Sequence, residues 1–506
     1  MQFNTTSFYT NSSFLSNNSS LQNNNFLRVK AGLEQSLSSS WIGGFLNLET
    51  NDGKVKPSQE SILTNHRFKE YEAYLGIGDS TNVYAKLGYS YRDNDSIRNN
   101  MFTEINNRKT FYLDAKIIKT EQTNFSLYAN YRETKNTFSD NQKSLNSRII
   151  YNQRFFKNFI TLGTRYETSS GNVAQQDFIY VEVEAGQGFY TWIDYNGNGI
   201  QEFDEFEIAE FQDQANFLRV PLPNLQFIPT QSAKINQSIT LNASQWANKT
   251  GIKKILSKFY HQFFLSSSNE VERTSNKFSL NPFISDTNNQ IRINYAIKNS
   301  LYFNRGLQKY STTYTFARTE NKQLYSIGSQ DTDIKYQQID FQHKVGKFWL
   351  VDLQGKLSEN NLETENFNNR NYEINTYAFQ PKISYVLDND NRFSAFYHVK
   401  DKKNNLSEFE KLKQQKIGIE YFYQKKTTTQ FNANFTTFFN DFNGNPNSPV
   451  GYQMLEGLQE GTNYTWTFLW SKKLNSYLNL NLNYKGRKSL NSKTIHTGSI
   501  NLKAIF

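Results

Sequence analysis

The sequence predicts an all-β fold: a transmembrane, antiparallel up-and-down β-barrel of about 22 strands, or roughly 20 to 24, with long extracellular loops. Three observations predict it. Short segments that alternate apolar and polar residues recur along all 506 residues, and short and long polar connections alternate between them. In addition, no stretch approaches the roughly 20 consecutive apolar residues that a membrane-spanning helix needs.

The alternating segments are those expected of strands with one face in lipid and the other toward a polar interior. Two clear examples are Val83, Ala85, Leu87, Tyr89 and Tyr91, and the run of Leu478, Leu480, Leu482 and Tyr484 set against Asn479, Asn481 and Asn483. About 21 such segments follow from Phe26 onward. Because single-chain bacterial barrels normally have an even number of strands, one more is expected within Gln2–Thr10 or upstream of Met1.

The connections between these segments differ in length in a regular way. Short turns are predicted at 78–81, 120–123, 157–158, 305–306, 346–347, 388–391 and 472–475. Long polar stretches are predicted as loops at 51–65, 92–107, 134–144, 270–288, 357–369 and 440–460. This arrangement is typical of outer-membrane barrels, whose short turns are periplasmic and whose long loops are extracellular. The whole chain, 1–506, is therefore interpreted as a single bacterial outer-membrane barrel.

The composition favours a barrel wall over a soluble core. Only 37% of residues are hydrophobic, yet the chain has 42 Phe and 31 Tyr, which suits lipid-facing strands with interfacial aromatic girdles. The net charge of +10 comes from dispersed Lys and Arg, which indicates no nucleic-acid partner but suits contact with outer-membrane lipid and lipopolysaccharide. The absence of cysteine excludes thiolate chemistry and Cys-ligated metal sites.

One local motif predicts a metal site. It lies in the longest connection, 171–229, which is interpreted as an extracellular loop insertion. Residues 194–205 match the spacing of a calcium-binding loop, with a glycine at loop position 6. The predicted ligands of a structural Ca²⁺ ion are the side chains of Asp194, Asn196, Asn198, Glu202 and Glu205 and the backbone carbonyl of Ile200. The alternative is an Asn- and Gly-rich turn with incidental acidic residues.

The end of the chain carries a second signal. The final segment, 498–506, alternates apolar residues and ends in Phe506. This resembles the C-terminal strand by which outer-membrane proteins engage the barrel-assembly machinery, which is therefore an expected partner.

No catalytic constellation is predicted. The five histidines are His66, His261, His343, His398 and His496, and they fall on different strands without metal-ligand spacing. The sequence therefore predicts that the protein is not an enzyme and has no catalytic residue.

Two stretches carry a family resemblance. Residues 186–199, together with 497–506 and the strands rich in Asn, Lys, Phe and Tyr, resemble large surface-exposed outer-membrane proteins of the Bacteroidota. The resemblance implies a cell-surface location in a Gram-negative bacterium and a role in nutrient uptake, in secretion or as part of an envelope machine.

These observations lead to one main hypothesis and three alternatives. The main hypothesis is a barrel subunit of a transport, secretion or assembly complex with protein partners in the envelope. Because barrels of roughly 22 strands are plugged rather than open, we expect the lumen to be filled by loops, upstream sequence or a partner. The alternatives are the barrel of a TonB-dependent transporter, a passive porin, and a soluble secreted β-repeat adhesin.

Overall fold

A computed structural model describes residues 6–504, apart from residues 57, 59, 63, 80–81, 175–176, 223–226, 275–276, 284–288, 307–308, 389, 407, 426–427 and 491. The chain divides into two compact units. The first comprises Met1–Val173, Ile228–Ile239 and Ser266–Gln290, and the second comprises Ala174–Phe227, Thr240–Leu265 and Ile291–Phe506.

The first unit is built from consecutive antiparallel strands. They are β1 Thr6–Asn18, β2 Gln22–Leu37, β3 Ser40–Val55, the two-residue β4 Glu60–Ser61, β5 His66–Gly78, β6 Tyr84–Arg98, β7 Met101–Lys119, β8 Thr123–Asn136, β9 Gln142–Phe155 and β10 Ile160–Ala174. Each long strand pairs with the next one along the chain, from β1 with β2 through to β9 with β10.

The second unit begins with four short strands, β11 Asp177–Glu182, β12 Tyr190–Trp192, β13 Phe206–Ile208 and β14 Phe217–Leu222. Two long strands, β15 Phe227–Asn242 and β16 Phe259–Glu272, contribute residues to both units and flank the short helix α1 Ile252–Leu256. The remaining strands are β17 Gln290–Phe303, β18 Tyr310–Tyr325, β19 Gly328–Val345, β20 Trp349–Thr364, β21 Tyr372–Val386, β22 Asn391–Asn404, β23 Lys411–Lys425, β24 Thr429–Asn443, β25 Gly461–Lys473, β26 Leu478–Ser489 and β27 Ile495–Ala504, with helix α2 Pro449–Leu455 before β25.

The strands from β17 to β27 again pair antiparallel with their neighbours along the chain. Among the described residues, 22 strands contain ten residues or more. The strand expected within Gln2–Thr10 is β1, which begins at Thr6. The predicted all-β, antiparallel up-and-down fold class and its strand number are therefore confirmed.

Among the described residues, the predicted short turns fall at the junctions between consecutive strands, but one predicted loop is not a loop. The stretch predicted at 92–107 is a continuation of β6 and β7, which are joined by Asn99 and Asn100 alone. Both residues have positive φ values, 49° and 63°, as a tight two-residue hairpin with a type I′ turn requires. Polar residues extend the hairpin beyond its apolar section because backbone pairing continues regardless of side-chain polarity. The sequence pattern therefore overestimated the length of this loop.

The hydrophobic core of the second unit lies between α2 and the strands near it. It consists of Leu362, Tyr372, Ile374, Leu412, Phe442, Val450, Met454 and Leu455, all buried. The side chain of Ser448 caps the helix by accepting a hydrogen bond from the Gly451 N–H, and Pro449 occupies the first turn. Helix α2 replaces part of the loop predicted at 440–460.

Candidate functional site

The faces of the long strands show the reverse of the usual distribution of apolar and polar side chains. On β23, Ile417 and Ile419 are 52% and 60% exposed, whereas Gln414 is fully buried. On β21, Tyr377 and Phe379 are exposed, and their neighbours on the opposite face are partly buried. A soluble sheet would bury the isoleucines and expose the glutamine. This part of the second unit therefore has an apolar outer face.

The first unit shows the same reversal. Leu75 of β5 lies directly opposite Leu87 of β6, and the two side chains are 52% and 61% exposed. The other face of the same strands is polar and internally bonded: the Tyr112 hydroxyl donates to Glu72 at 2.5 Å, and the Lys86 ammonium lies 3.7 Å from the same carboxylate. Both units thus combine an apolar exposed face with a polar face whose groups bond to one another.

The predicted insertion is a folded element rather than an open loop. Strand β11 pairs with β14, and β12 pairs with β13 and β14. We call residues 177–222 the insert. Its interior is aromatic: Tyr180 stacks on Phe206 at 3.9 Å between ring centroids, and Phe206 packs edge-on against Phe217 at 5.1 Å. Burial raises the pKa of Tyr180 to about 12.

The residues of the predicted calcium loop lie together in one tight turn. One carboxylate oxygen of Asp194 accepts hydrogen bonds from the N–H groups of Gly197 and Asn198, at 2.7 and 3.1 Å, and the other accepts from Gly199 at 2.9 Å. The Asn198 side-chain oxygen accepts from the Ile200 N–H at 2.6 Å. The side chains of Asp194, Asn196 and Asn198 therefore order the turn together, by accepting hydrogen bonds from its backbone N–H groups.

The last predicted ligand lies at the edge of the aromatic interior. Glu205 is 1% exposed, and its two oxygens accept hydrogen bonds from the indole N–H of Trp192 at 2.8 Å and from the Tyr195 N–H at 3.2 Å. The Asn196 side-chain amide donates to Glu202 at 2.6 Å. Among the described residues, no group of three or more His, Asp or Glu side chains has the geometry to hold a metal ion. The Ca²⁺ site therefore stays a prediction.

The insert is held to later parts of the second unit by a buried ion pair. The carboxylate of Glu207, 1% exposed, accepts from Arg370 at 3.1 Å and from the Gln453 side chain at 3.4 Å. Arg370 lies in the connection between β20 and β21, and Gln453 lies in α2. Burial raises the pKa of Glu207, and the Arg370 charge opposes this rise. The ionised form of Glu207 is therefore stabilised by its contact with Arg370.

Further contacts complete this attachment. The Tyr452 hydroxyl of α2 donates to the Ile208 carbonyl at 3.2 Å and accepts from the Glu210 N–H at 3.1 Å. The guanidinium of Arg487, on β26, forms a two-pronged ion pair with Asp213, and its second contact measures 2.8 Å. The insert thus contacts β26, α2 and the β20–β21 connection, which are far apart in the sequence.

A cluster of cations surrounds one carboxylate next to α2. Glu456 lies 2.6 Å from the Lys400 ammonium, 3.0 Å from Lys402 and 3.6 Å from Lys416. Burial works against its charge, but the three lysines hold the pKa of Glu456 well below its usual range. Glu456 also adopts the left-handed backbone conformation, φ 55°, that ends α2. The cluster therefore joins the C-terminus of α2 to β22 and β23.

Sequence reasoning located the calcium-loop residues and missed the groups that attach the insert. Arg370, Tyr452 and Arg487 are distant in sequence from their partners, and no local sequence pattern links them. The five histidines lie on five different strands, as predicted. No described helix is both long and apolar enough to cross a membrane.

The comparisons with known proteins show only distant likenesses. No protein-family model matches the chain, and no curated protein matches it. Similar solved structures include the FrpB iron transporter from Neisseria meningitidis (10% identity, TM-score 0.37, covering 95% of this chain and 80% of that one) and the copper transporter OprC (9%, 0.33, 95% and 74%). Another is OmpT, an outer-membrane protein of Vibrio cholerae (9%, 0.25, 84% and 90%). At these identities and scores, the likenesses assign no family and no activity.

Proposed function

We propose that this chain is an outer-membrane β-barrel that serves as a subunit of a transport, secretion or assembly complex. The observation that carries the proposal is the reversed polarity of the strand faces, with isoleucine, leucine and aromatic side chains exposed and Gln414, Glu72 and Lys86 turned toward the bonded face. A lipid environment makes such an arrangement favourable, because it removes the exposed apolar face from water.

The insert supports a barrel occluded by its own loops. A folded element of aromatic interior, held by the Glu207–Arg370 and Asp213–Arg487 ion pairs, is not the mobile loop of an open channel. In the proposed barrel, it fills part of the lumen at the end where the predicted long loops lie. An insert fixed in this way disfavours a passive porin, whose channel must stay open. The barrel of a TonB-dependent transporter remains the second candidate, since a wide barrel with a filled lumen suits it equally.

The proposed setting includes specific partners. The outer face contacts lipid and lipopolysaccharide, the long loops are extracellular and the short turns periplasmic. The alternation of short and long connections supports this orientation, and the resemblance to Bacteroidota surface proteins supports a cell-surface location. In this proposal the C-terminal strand β27, Ile495–Ala504, engages the barrel-assembly machinery. Phe506, the predicted recognition residue, lies outside the described residues. No enzymatic activity is proposed, and the protein partners belong to the envelope complex.

We also propose that residues 194–205 bind one structural Ca²⁺ ion. The ordered turn around Asp194 and the nearby Glu202 carboxylate support this, although Glu205 must release Trp192 or bind through its remaining lone pairs. With few acidic ligands, we expect a dissociation constant on the order of 10⁻⁴ to 10⁻³ M. Calorimetry with millimolar calcium tests the site, and the absence of heat would leave an ordinary turn.

Two measurements test the main proposal. The purified chain should require detergent and should migrate differently in electrophoresis before and after boiling, because a closed sheet in lipid satisfies its own backbone groups. A chain that stays monomeric in buffer without detergent would instead support the soluble adhesin.

Conductance in planar bilayers tests whether the barrel is occluded. An occluded barrel should conduct little, and Arg487→Met with Arg370→Met should raise the conductance. A large conductance without these substitutions would support the porin.

A further inference from the structure

A polar cavity of about 350 Å³ lies in the first unit, among β7, β8, β9 and the end of β10. It lies on the polar face of these strands, at the end away from the short turn at 120–122. Its lining contains Lys143 and three arginines, Arg108, Arg132 and Arg273, together with amide and hydroxyl side chains such as Asn106 and Ser170. The volume falls at the lower end of the range of small-molecule sites.

The arginines are arranged as like charges that face one another. Arg108 pairs in register with Thr134, and Arg132 pairs with Thr110, so the two guanidinium groups are diagonal neighbours on one face of the sheet. Arg92 of β6 lies directly opposite Arg108, and like charges directly opposite one another destabilise a sheet. The Nε of Arg108 is buried and has no hydrogen-bond partner. A buried donor of this kind costs free energy unless something accepts its hydrogen bond.

Two acidic side chains near the cavity, Glu133 and Glu70, pair with cations other than the three arginines. None of the described residues that line the cavity is acidic. Glu133, which follows Arg132, points to the opposite side of the strand and lies 3.4 Å from the Lys143 ammonium. Glu70 lies 3.7 Å from Arg92. The Arg273 guanidinium donates to the Lys143 carbonyl, which fixes its position at the cavity. The cavity therefore has excess positive charge.

We propose that this cavity binds a small hydroxylated ligand that carries two or more phosphate groups. Guanidinium groups match phosphate oxygens through paired hydrogen bonds, and three of them call for more than one negative charge. The amide and hydroxyl groups of the lining suit the hydroxyls of a sugar or polyol. No aromatic or aliphatic side chain is found among the described lining residues, so a nucleobase or an acyl chain has no surface to pack on.

The test measures binding of glucose 1,6-bisphosphate to the full chain in detergent, with glucose as the uncharged comparison. We expect saturable binding of the bisphosphate and none of glucose. Arg108→Gln and Arg132→Gln should each weaken binding at least tenfold. Arg165→Gln is the matched control, because Arg165 belongs to the same unit but lies 2.7 Å from Glu167. No saturable binding below millimolar concentration, or an equal loss in all three variants, overturns the proposal.

Two further readouts complete the design. Without ligand, nothing offsets the repulsion among the arginines. Arg108→Gln and Arg132→Gln should therefore keep or raise the unfolding temperature of the free protein while they weaken binding. A lower unfolding temperature with unchanged binding assigns these arginines a structural role and overturns the proposal. Micelles of a phosphorylated glycolipid distinguish the source of the ligand. Competition by the micelles identifies a lipid headgroup, and binding of the bisphosphate without such competition identifies a free ligand; either result supports the site.

Discussion

The ion pair between Glu207 and Arg370 predicts how strongly the insert depends on one contact. Arg370→Met keeps most of the side-chain volume but removes the charge that faces Glu207 at 3.1 Å. The carboxylate then remains buried, with the amide of Gln453 as a donor at 3.4 Å. Breaking a buried pair in this way costs about 3 to 5 kcal/mol.

Protonation of Glu207 sets an upper limit on the free energy lost when Arg370 is replaced. The stranded carboxylate can bind a proton, and at pH 7 protonation of a glutamate with an ordinary pKa near 4.3 costs about 4 kcal/mol, at about 1.4 kcal/mol per pH unit. The attachment of the insert should therefore weaken by about 3 to 4 kcal/mol at pH 7 but by only about 1 kcal/mol at pH 5. The loss is smaller at the lower pH because burial raises the pKa of Glu207 in the attached state. The attached state therefore binds protons more readily and is favoured as the pH falls.

Hydrogen–deuterium exchange of the insert, corrected for the intrinsic exchange rate at each pH, measures this weakening. At pH 7, Arg370→Met should lower the protection of the β11 and β14 amides by roughly one hundredfold to one thousandfold, and adding Glu207→Gln should restore most of it. Arg165→Ala, which removes an exposed pair, should leave these amides unchanged. Unchanged protection in Arg370→Met, or an equal loss at pH 5 and pH 7, would refute the reasoning.

Three further predictions concern other parts of the chain. Asp194→Ala with Glu205→Ala should leave assembly intact, abolish calcium binding in calorimetry and make the insert sensitive to protease. Gly76→Ala should lower the heat-modifiable fraction in electrophoresis, because a Cβ atom there would lie 2.0 Å from the Trp41 ring, and Trp41→Ala should restore assembly. Phe506→Ala should reduce the amount of protein found in the outer membrane by immunoblotting, and normal levels would count against recognition of the last strand by the assembly machinery.

The strands and short turns were predictable because each depends on local sequence. Period-two alternation defines a strand wherever it occurs, and positive-φ positions such as Gly346, φ 62°, mark the turns. Strand ends were less predictable. Polar residues such as Asn99 and Asn100 are compatible with both a loop and an extended hairpin, and only pairing with the neighbouring strand decides between them. Ser448 and Pro449 carried a readable signal for α2 that the strand pattern obscured.

The attachment of the insert was not predictable from one sequence. Asp213 and Arg487 are separated by 274 residues, and no local pattern marks either as a partner. Glu207 is one of several acidic residues that follow the calcium motif in the sequence, and the structure buries it against Arg370. Such contacts depend on which distant strand ends the insert reaches, which is a property of the three-dimensional arrangement.

Cysteine scanning of four consecutive residues of β21 tests whether the exposed apolar face lies in lipid. The chain has no cysteine of its own, so each introduced thiol is unique. Tyr377 and Phe379 lie on the exposed face, and Ala378 and Gln380 lie on the other face. A polarity-sensitive fluorophore is attached to each thiol of the protein in liposomes. We expect emission typical of an apolar environment at 377 and 379 and emission typical of water at 378 and 380. Water-like emission at all four positions would contradict it.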